Sequence, residues 1–151
     1  MKRVLAMVLI LGTISGAEAE DREGGFFFFD SSENRYTVSQ APTNLMQEYD
    51  LSEKPVILTV ATSHVGNGAY REQHRILKTL DAEKLTFLHV VADASGEYKR
   101  AYWTDADTAR KLLDGKDFRL ILTDSQGEVI FNETGVIEGG EIRRIIKSIR
   151  E

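Results

Sequence analysis

The 151-residue chain contains no cysteine and only two prolines, Pro42 and Pro55. Without a thiol there is no disulfide, no thiolate nucleophile and no cysteine ligand for zinc. Thiol–disulfide exchange and thiol peroxidase chemistry are therefore excluded by count, and so is a lipid anchor attached through cysteine. Long apolar runs are also missing. The longest, residues 4–14, spans eleven positions, well short of the ~20 a membrane-crossing helix needs. Basic residues are in the minority, 19 against 24 acidic for a net charge of −5, which disfavours non-specific binding to nucleic acid or to anionic membrane.

Residues 1–19 read as a secretory signal: Lys2 and Arg3 first, then the apolar run, then Ala17-Glu18-Ala19 as a small-x-small cleavage site. Cleavage would leave a mature chain beginning at Glu20 and remove Lys2, Arg3 and Glu18. That leaves 17 basic against 23 acidic residues, a net of −6. The expectation is a soluble periplasmic or secreted protein with no membrane or lipid anchor. Its core must hold by burial alone, which a domain of about 130 residues can do.

After the signal, Gly24-Gly25 precede Phe26, Phe27, Phe28 and Phe29, followed by a polar stretch (Asp30-Ser31-Ser32-Glu33-Asn34) and a β-prone run at residues 35–38. This pattern predicts an N-terminal hairpin. Successive side chains of a strand point to opposite faces, so two of the four rings lie on each side and both sides need cover. Left open, the run is an aggregation hazard or a surface for a partner protein. Pro42 then opens a short helix or turn.

Pro55 precedes the near-continuous apolar run at residues 56–61. Such a run predicts a strand buried on both faces, at the centre of a parallel sheet. Tyr70, Ile76, Leu77 and Leu80 fall at helical spacing, with Arg71, Glu72, Arg75 and Lys78 outside them. A second strand follows at residues 85–91, completing a parallel β-α-β unit. Thr104-Asp105-Ala106-Asp107 predicts a threonine-capped helix running through Leu113 and stopped by Gly115. Strands at 118–123 and 128–132 pair antiparallel through Asp124-Ser125-Gln126-Gly127. Ile142, Ile145, Ile146 and Ile149 form the apolar stripe of a last helix, which also carries Arg143, Arg144, Lys147 and Arg150 as a solvated basic face.

The core order β-α-β-α-β-β-α, with its closing hairpin and terminal helix, resembles the thioredoxin superfamily over residues 54–150. Narrower features are Lys54-Pro55-Val56-Ile57-Leu58, Gln73 with Leu77, and Asp117-Phe118-Arg119-Leu120-Ile121-Leu122-Thr123-Asp124-Ser125-Gln126-Gly127-Glu128-Val129. Together they resemble a cysteine-free thioredoxin-like domain of unknown function, found in small exported bacterial proteins and at the end of some extracellular sushi-repeat proteins. The resemblance implies an α/β three-layer thioredoxin-like fold over residues 54–151, preceded by an extension at 20–53 that adds a hairpin or strand. The chain departs from redox thioredoxins twice. Ala61-Thr62-Ser63-His64-Val65-Gly66-Asn67 stands where redox members carry Cys-x-x-Cys, and Asp117 stands where a proline normally precedes the third core strand.

Other chemistry is thin. Ser63-His64 lacks the nucleophile elbow of a serine hydrolase, and neighbours in sequence rarely face each other as a nucleophile and its base must. A turn at a helix N-terminus offers backbone N–H groups to an anion, and Thr62, Ser63, His64 and Asn67 add donors there; plain helix capping by Ser63 or Asn67 is the competing reading. His64, His74 and His89 show no local ligand spacing, so no metal site and no cofactor is expected. Asp105-x-Asp107 lacks the remainder of a calcium loop. Tyr98, Tyr102 and Trp103 form an aromatic patch before the second core helix. The leading expectation is a non-catalytic interaction module of the cell envelope, with Phe26, Phe27, Phe28, Phe29 and Trp103 as candidate partner contacts. The alternative is a small-ligand binder or non-redox enzyme that uses Thr62, Ser63, His64 and Asn67.

Overall fold

The computed structural model describes residues 26–82 and 87–150. The expected signal, Gly24-Gly25 and the start of the strand predicted from residue 85 lie outside these residues. Seven strands form one sheet in the order β2-β1-β5-β4-β3-β6-β7. They are β1 (Phe27–Phe29), β2 (Arg35–Thr37), β3 (Val56–Thr62), β4 (Phe87–Asp93), β5 (Tyr102–Thr104), β6 (Phe118–Thr123) and β7 (Val129–Glu133). Among the described residues four helices accompany them: α1 (Ala41–Glu48), α2 (Gly68–Ala82), α3 (Ala106–Leu113) and α4 (Gly139–Arg150).

β3 begins where Pro55 can no longer interrupt a ladder, and all seven of its residues are buried. It runs parallel to β4, from Val56↔Phe87 to Thr62↔Asp93, and antiparallel to β6, from Ile57↔Thr123 to Thr62↔Phe118. It is thus the middle of the five strands β5-β4-β3-β6-β7, while the hairpin moves the centre of the whole sheet to β4.

The period of two divides β3 between two cores. Val56, Leu58 and Val60 pack with Tyr70, Leu77 and Leu80 of α2 and with Ile142 and Ile146 of α4. Ile57 packs on the opposite side with Val90, Phe26, Phe28, Val38, Ala41 and Leu45. Farther along, Ala61 and Ala92 meet Ala109 and Leu113 of α3; three alanines let that helix approach the strands closely. The helix pair on the first side is also tight, because a Cβ at Gly139 would lie 3.4 Å from Leu80 Cδ2. Gln73 is fully buried there, yet its amide is satisfied: Nε2 donates to the Ile137 carbonyl at 2.9 Å and Oε1 accepts the Ile137 N–H at 2.8 Å. This pairing fixes the entry to α4 against α2.

Three expectations need correction. Thr104 does not cap α3. It is buried at the end of β5, paired with Ala92, and the cap is Asp105, whose Oδ1 accepts the Thr108 N–H at 2.7 Å. The ladder claims the threonine, so the cap shifts by one residue. β5 itself is a strand where a polar connection was expected. Finally, Tyr98, Tyr102 and Trp103 do not form one patch: Tyr98 packs on the α2 core, Tyr102 against Phe28 on the other side, and Trp103 against Phe29. Strand alternation separates Tyr102 from Trp103. The β6–β7 turn matches expectation, with Asp124 Oδ1 accepting the N–H groups of Gln126 and Glu128 and Gly127 at φ +86°.

Candidate functional site

Two candidate surfaces flank the connection between β4 and β5, residues 94–101. The first is the turn from β3 into α2. Thr62 Oγ1 donates to the His64 carbonyl at 2.8 Å and accepts the His64 N–H at 3.3 Å. The Ser63 N–H donates to the Asp117 carbonyl at 3.0 Å, and the Asn67 N–H to the His64 carbonyl at 2.9 Å. Gly66 N–H donates to His64 Nδ1 at 2.9 Å. Asn67 Oδ1 caps the helix by accepting the Tyr70 N–H at 3.0 Å. The structure thus brings Thr62, Ser63, His64 and Asn67 together in one turn, with much of its hydrogen bonding internal. Because Nδ1 of His64 accepts a hydrogen bond, the proton of the neutral ring sits on Nε2, which faces Glu97 Oε1 at 3.3 Å on the exposed side.

Asp93 holds the adjacent connection in shape. It is buried at the end of β4, and its carboxylate accepts the Ser95 N–H (3.0 Å), Ser95 hydroxyl (2.8 Å), Glu97 N–H (3.2 Å) and Tyr98 N–H (3.1 Å). Four donors on one buried carboxylate satisfy its hydrogen-bonding capacity within the connection itself. From the other side, Arg110 of α3 donates to the Ala94 carbonyl at 3.1 Å. The connection ends at Ala101, whose φ of 56° is left-handed and strained for a residue with a side chain.

The second surface is built on β5, β1 and β2. β1 and β2 pair antiparallel, with Phe27↔Thr37, Phe28↔Tyr36 and Phe29↔Arg35, and Phe29 lies opposite Trp103 of β5. Phe26 and Phe28 face inward at 5% and 0% exposure. The candidate partner contacts at the surface therefore reduce to Phe27, Phe29 and Trp103, all half-buried and none a member of a core cluster. Phe29 and Trp103 have ring centres 4.8 Å apart. Arg35 Cζ lies 3.9 Å above the Phe27 ring, and Lys99 Nζ 5.6 Å from the Trp103 ring.

The hairpin turn stiffens this face. Asp30 Oδ1 accepts the N–H groups of Ser32 and Asn34, both at 2.9 Å, while Oδ2 accepts from Asn34 Nδ2 at 2.9 Å and from the Tyr36 hydroxyl at 3.1 Å. Burial alone would raise the Asp30 carboxyl, but those bonds outweigh it and hold it below the usual carboxylate range. Burial and the bond to Asp30 push the Tyr36 phenol up to about 12. Trp103 Nε1 donates to the Asp30 carbonyl at 3.3 Å, tying the platform to the turn.

Where α2 crosses β4 lies a polar group that spacing along the chain did not reveal. Tyr70 and His74 occupy one face of α2, with the phenol oxygen 3.4 Å from His74 Nδ1, and the His74 ring centre lies 5.4 Å from that of His89 on β4. His64, the third histidine, is held by Gly66 and Glu97 in the turn. Burial, with a smaller contribution from Tyr98 and Asp93, pushes the Tyr70 phenol up to about 12. Burial, then His74, pushes the His89 imidazolium down to about 4, so His89 is neutral at physiological pH. No group of three or more His, Cys, Asp or Glu side chains that could hold a metal occurs among the described residues. Among those residues, no helix is long and apolar enough to cross a membrane. On α4, Arg143, Arg144 and Lys147 are exposed, and Arg144 pairs with Glu141.

No protein-family model matches the chain, and no curated relative matches it in sequence. Solved structures do. The exposed lipoprotein thioredoxin of Streptococcus pneumoniae superposes with a TM-score of 0.51 at 13% identity, covering 82% of this chain and 98% of that one. A SCO1/SenC family lipoprotein from Bacillus anthracis gives 0.54 at 12% identity, with coverage of 83% and 93%. The reduced 2-Cys peroxiredoxin of Plasmodium vivax gives 0.52 at 14%, with coverage of 82% and 90%. At such identities the likeness establishes the fold and nothing further. With its β3-α2-β4 unit, its β6–β7 hairpin and its closing α4, this cysteine-free chain has a thioredoxin-like fold carrying an additional N-terminal hairpin.

Proposed function

We propose that this chain is an exported, non-redox binding module that engages a protein partner through the face formed by Phe27, Phe29 and Trp103. The observation that carries the proposal is that these three rings stand half-buried outside every core cluster, on strands made rigid by Asp30. Aromatic side chains that give much contact area with few rotatable bonds are the usual anchors of protein interfaces. Arg35 and Lys99, set against the rings, suit a partner whose contact surface is acidic. Export is supported by the signal-like residues 1–19, and the narrower kinship by the resemblance to cysteine-free domains of exported bacterial proteins.

The test is photo-crosslinking in the producing cell from a probe placed at Phe27, compared with one at Lys147 on α4. A specific adduct from position 27, absent from 147 and lost when Phe29 and Trp103 are both changed to serine in a chain that keeps its circular dichroism, is the expected result. Identical adducts from both positions would sink the proposal. Fractionation of the cells checks export separately, with the protein expected outside the cytoplasm.

One observation favours a second reading, a small ligand at the β3–α2 turn: His64 and Glu97, paired at 3.3 Å, are both exposed, so a polar ligand can reach either group. The extent of internal hydrogen bonding in that turn places this reading second. Calorimetric titration with phosphate and with acetate separates the two, since the binding-module reading expects no heat from either.

A further inference from the structure

The geometry points to one kind of partner element for the aromatic face: an amphipathic α-helix whose apolar stripe is bordered by acidic residues. This inference rests on the partner-binding reading above and names what that face receives. The strand registers place the three rings on one side of the sheet. Trp103 pairs with Val91 of β4, Phe29 pairs with Trp103, and Phe27 shares the face of Phe29 by alternation. All three therefore point to the side that carries α2 and α4, where Val91 belongs to the core. That core draws residues from β3, β4, β6 and β7, and none from β1, β2 or β5. On the opposite side the added strands are covered, since Phe28 and Val38 pack with Ala41 and Leu45 of α1. Among the described residues, the core beneath α2 and α4 thus stops at β4 and leaves the outer three strands without a helix on that side.

The size and charge of the uncovered strip choose the occupant. Neighbouring strands lie about 4.8 Å apart, so β2, β1 and β5 together span about 10 Å, the width of one helix. Strands of this length run for about 10 Å, which matches two helical turns and so anchors at i, i+3 or i+4, and i+7. A strand added at the β2 edge fits less well. β2 has only 3 residues, and its Thr37 carbonyl already accepts the Gln40 N–H at 3.2 Å. Cations flank the rings from both sides. Arg35, on the edge strand, sets its guanidinium over Phe27, while Lys99, on the connection that enters β5, sets its ammonium near Trp103; both side chains are exposed. A helix lying between them meets positive charge along both margins of its apolar stripe, which calls for glutamate or aspartate there.

Trp103 is the only tryptophan of the chain, so its fluorescence reports from the face itself. The purified protein is titrated with a peptide of about 18 residues, free of tryptophan and tyrosine, that forms a helix with a leucine stripe bordered by glutamates. The controls are the same residues in scrambled order, the helix with lysine in place of glutamate, and an acidic peptide with the alternation of a strand. The expected result is a saturable blue shift with the acidic helix and binding at least about tenfold weaker with each control. Arg35→Glu and Lys99→Glu change exposed side chains, so the double variant should keep the circular dichroism of the parent. It should lose the acidic helix and take the lysine helix instead, while Lys147→Glu on α4 binds as the parent does. Equal binding of the scrambled or strand-forming peptide, a preference of the parent for the lysine helix, or no effect of the double charge reversal would each overturn the assignment. So would a Trp103 that acrylamide cannot quench in the free protein, because the chain's own residues would then cover the face. If no peptide binds while the probe at Phe27 still gives its specific adduct in cells, the helix assignment falls and the binding face stands. If the acidic helix binds and that probe gives no specific adduct, the helix assignment stands and the partner reading in the cell falls.

Discussion

The turn from β3 into α2 and the platform on β5, β1 and β2 use their polar and apolar groups in opposite ways. In the turn, the N–H groups of Ser63, His64, Gly66, Asn67 and Tyr70 are bound internally, at Asp117 or at the Asn67 cap. The platform lies outside the core order common to the fold, yet it holds aromatic rings at the surface at the cost of an elaborate hairpin turn. A closed site and an open one share the 94–101 connection, which touches His64 through Glu97 and Trp103 through Lys99. The turn of this cysteine-free chain is thus largely self-contained, while aromatic rings stand at the surface of the added strands.

The largest effect that can break this comparison lies within the platform itself. Phe28→Ala is expected to destabilise the fold by about 3–5 kcal/mol, since a fully buried phenylalanine leaves a cavity, whereas Phe27→Ala should cost about 1 kcal/mol or less. The two residues are adjacent but face opposite ways, and Phe28 stacks on Tyr36 at 5.4 Å. Urea denaturation measures both. Equal losses would mean that the hairpin has no inside and outside, and the platform would lose its claim to be a presented surface.

His89, on β4 and part of neither region, makes the fold as a whole respond to pH. Its folded-state value, about 4 against an ordinary 6.5, is depressed chiefly by burial. The unfolded chain therefore takes up a proton that the folded chain refuses, so stability falls as pH drops from about 6.5 to about 4 and is level above that window. The full contribution is about 3 kcal/mol. His89→Leu should remove this part of the pH dependence. Thermal melts at pH 7.0, 5.5 and 4.5 check the sign, and an unchanged pH dependence in His89→Leu would show that the ring is not held neutral by its surroundings.

Within the turn, Asn67→Ala should cost about 1 kcal/mol through the lost cap, while Ser63→Ala should stay within about 0.5 kcal/mol, because it is the Ser63 backbone that is engaged, at Asp117. A reversed order would show that Ser63 has a role that its hydrogen bonds do not explain.

Where a residue's role depends on local pattern, the sequence disclosed it. The continuous apolar run of β3, the isoleucine stripe of α4 and the glycine-ended turn before β7 all fold as their periodicity and turn chemistry require. The hairpin followed from the same reasoning, down to two rings on each face. β5 escaped because three residues cannot establish a period, and Thr104 lost its expected cap because a ladder with Ala92 was the stronger claim. The approach of His74 to His89 could not be seen from spacing, since it is created by the helix crossing the strand. Asp93 was equally hidden: a single carboxylate at a strand end looks ordinary until four donors converge on it.

The smallest expected effect addresses the joint between the two surfaces. Ala101 holds a φ of 56° immediately before β5, and Arg100 before it lies with its guanidinium carbon 5.9 Å from the Tyr98 ring. A left-handed conformation costs a residue with a Cβ about 1–2 kcal/mol, and glycine there would relieve this while adding about 0.5–1 kcal/mol of lost backbone freedom. Ala101→Gly should therefore change stability by no more than about 1 kcal/mol, in the stabilising direction. If the alanine only tolerates its conformation, crosslinking from Phe27 will be unchanged in the glycine variant. If the restricted backbone at 101 fixes the position of Lys99 over Trp103, the variant will be more stable and yet crosslink less, because freedom gained at the joint is lost as order on the binding face. The second outcome is expected, since strain is retained where the surrounding structure depends on the position it enforces.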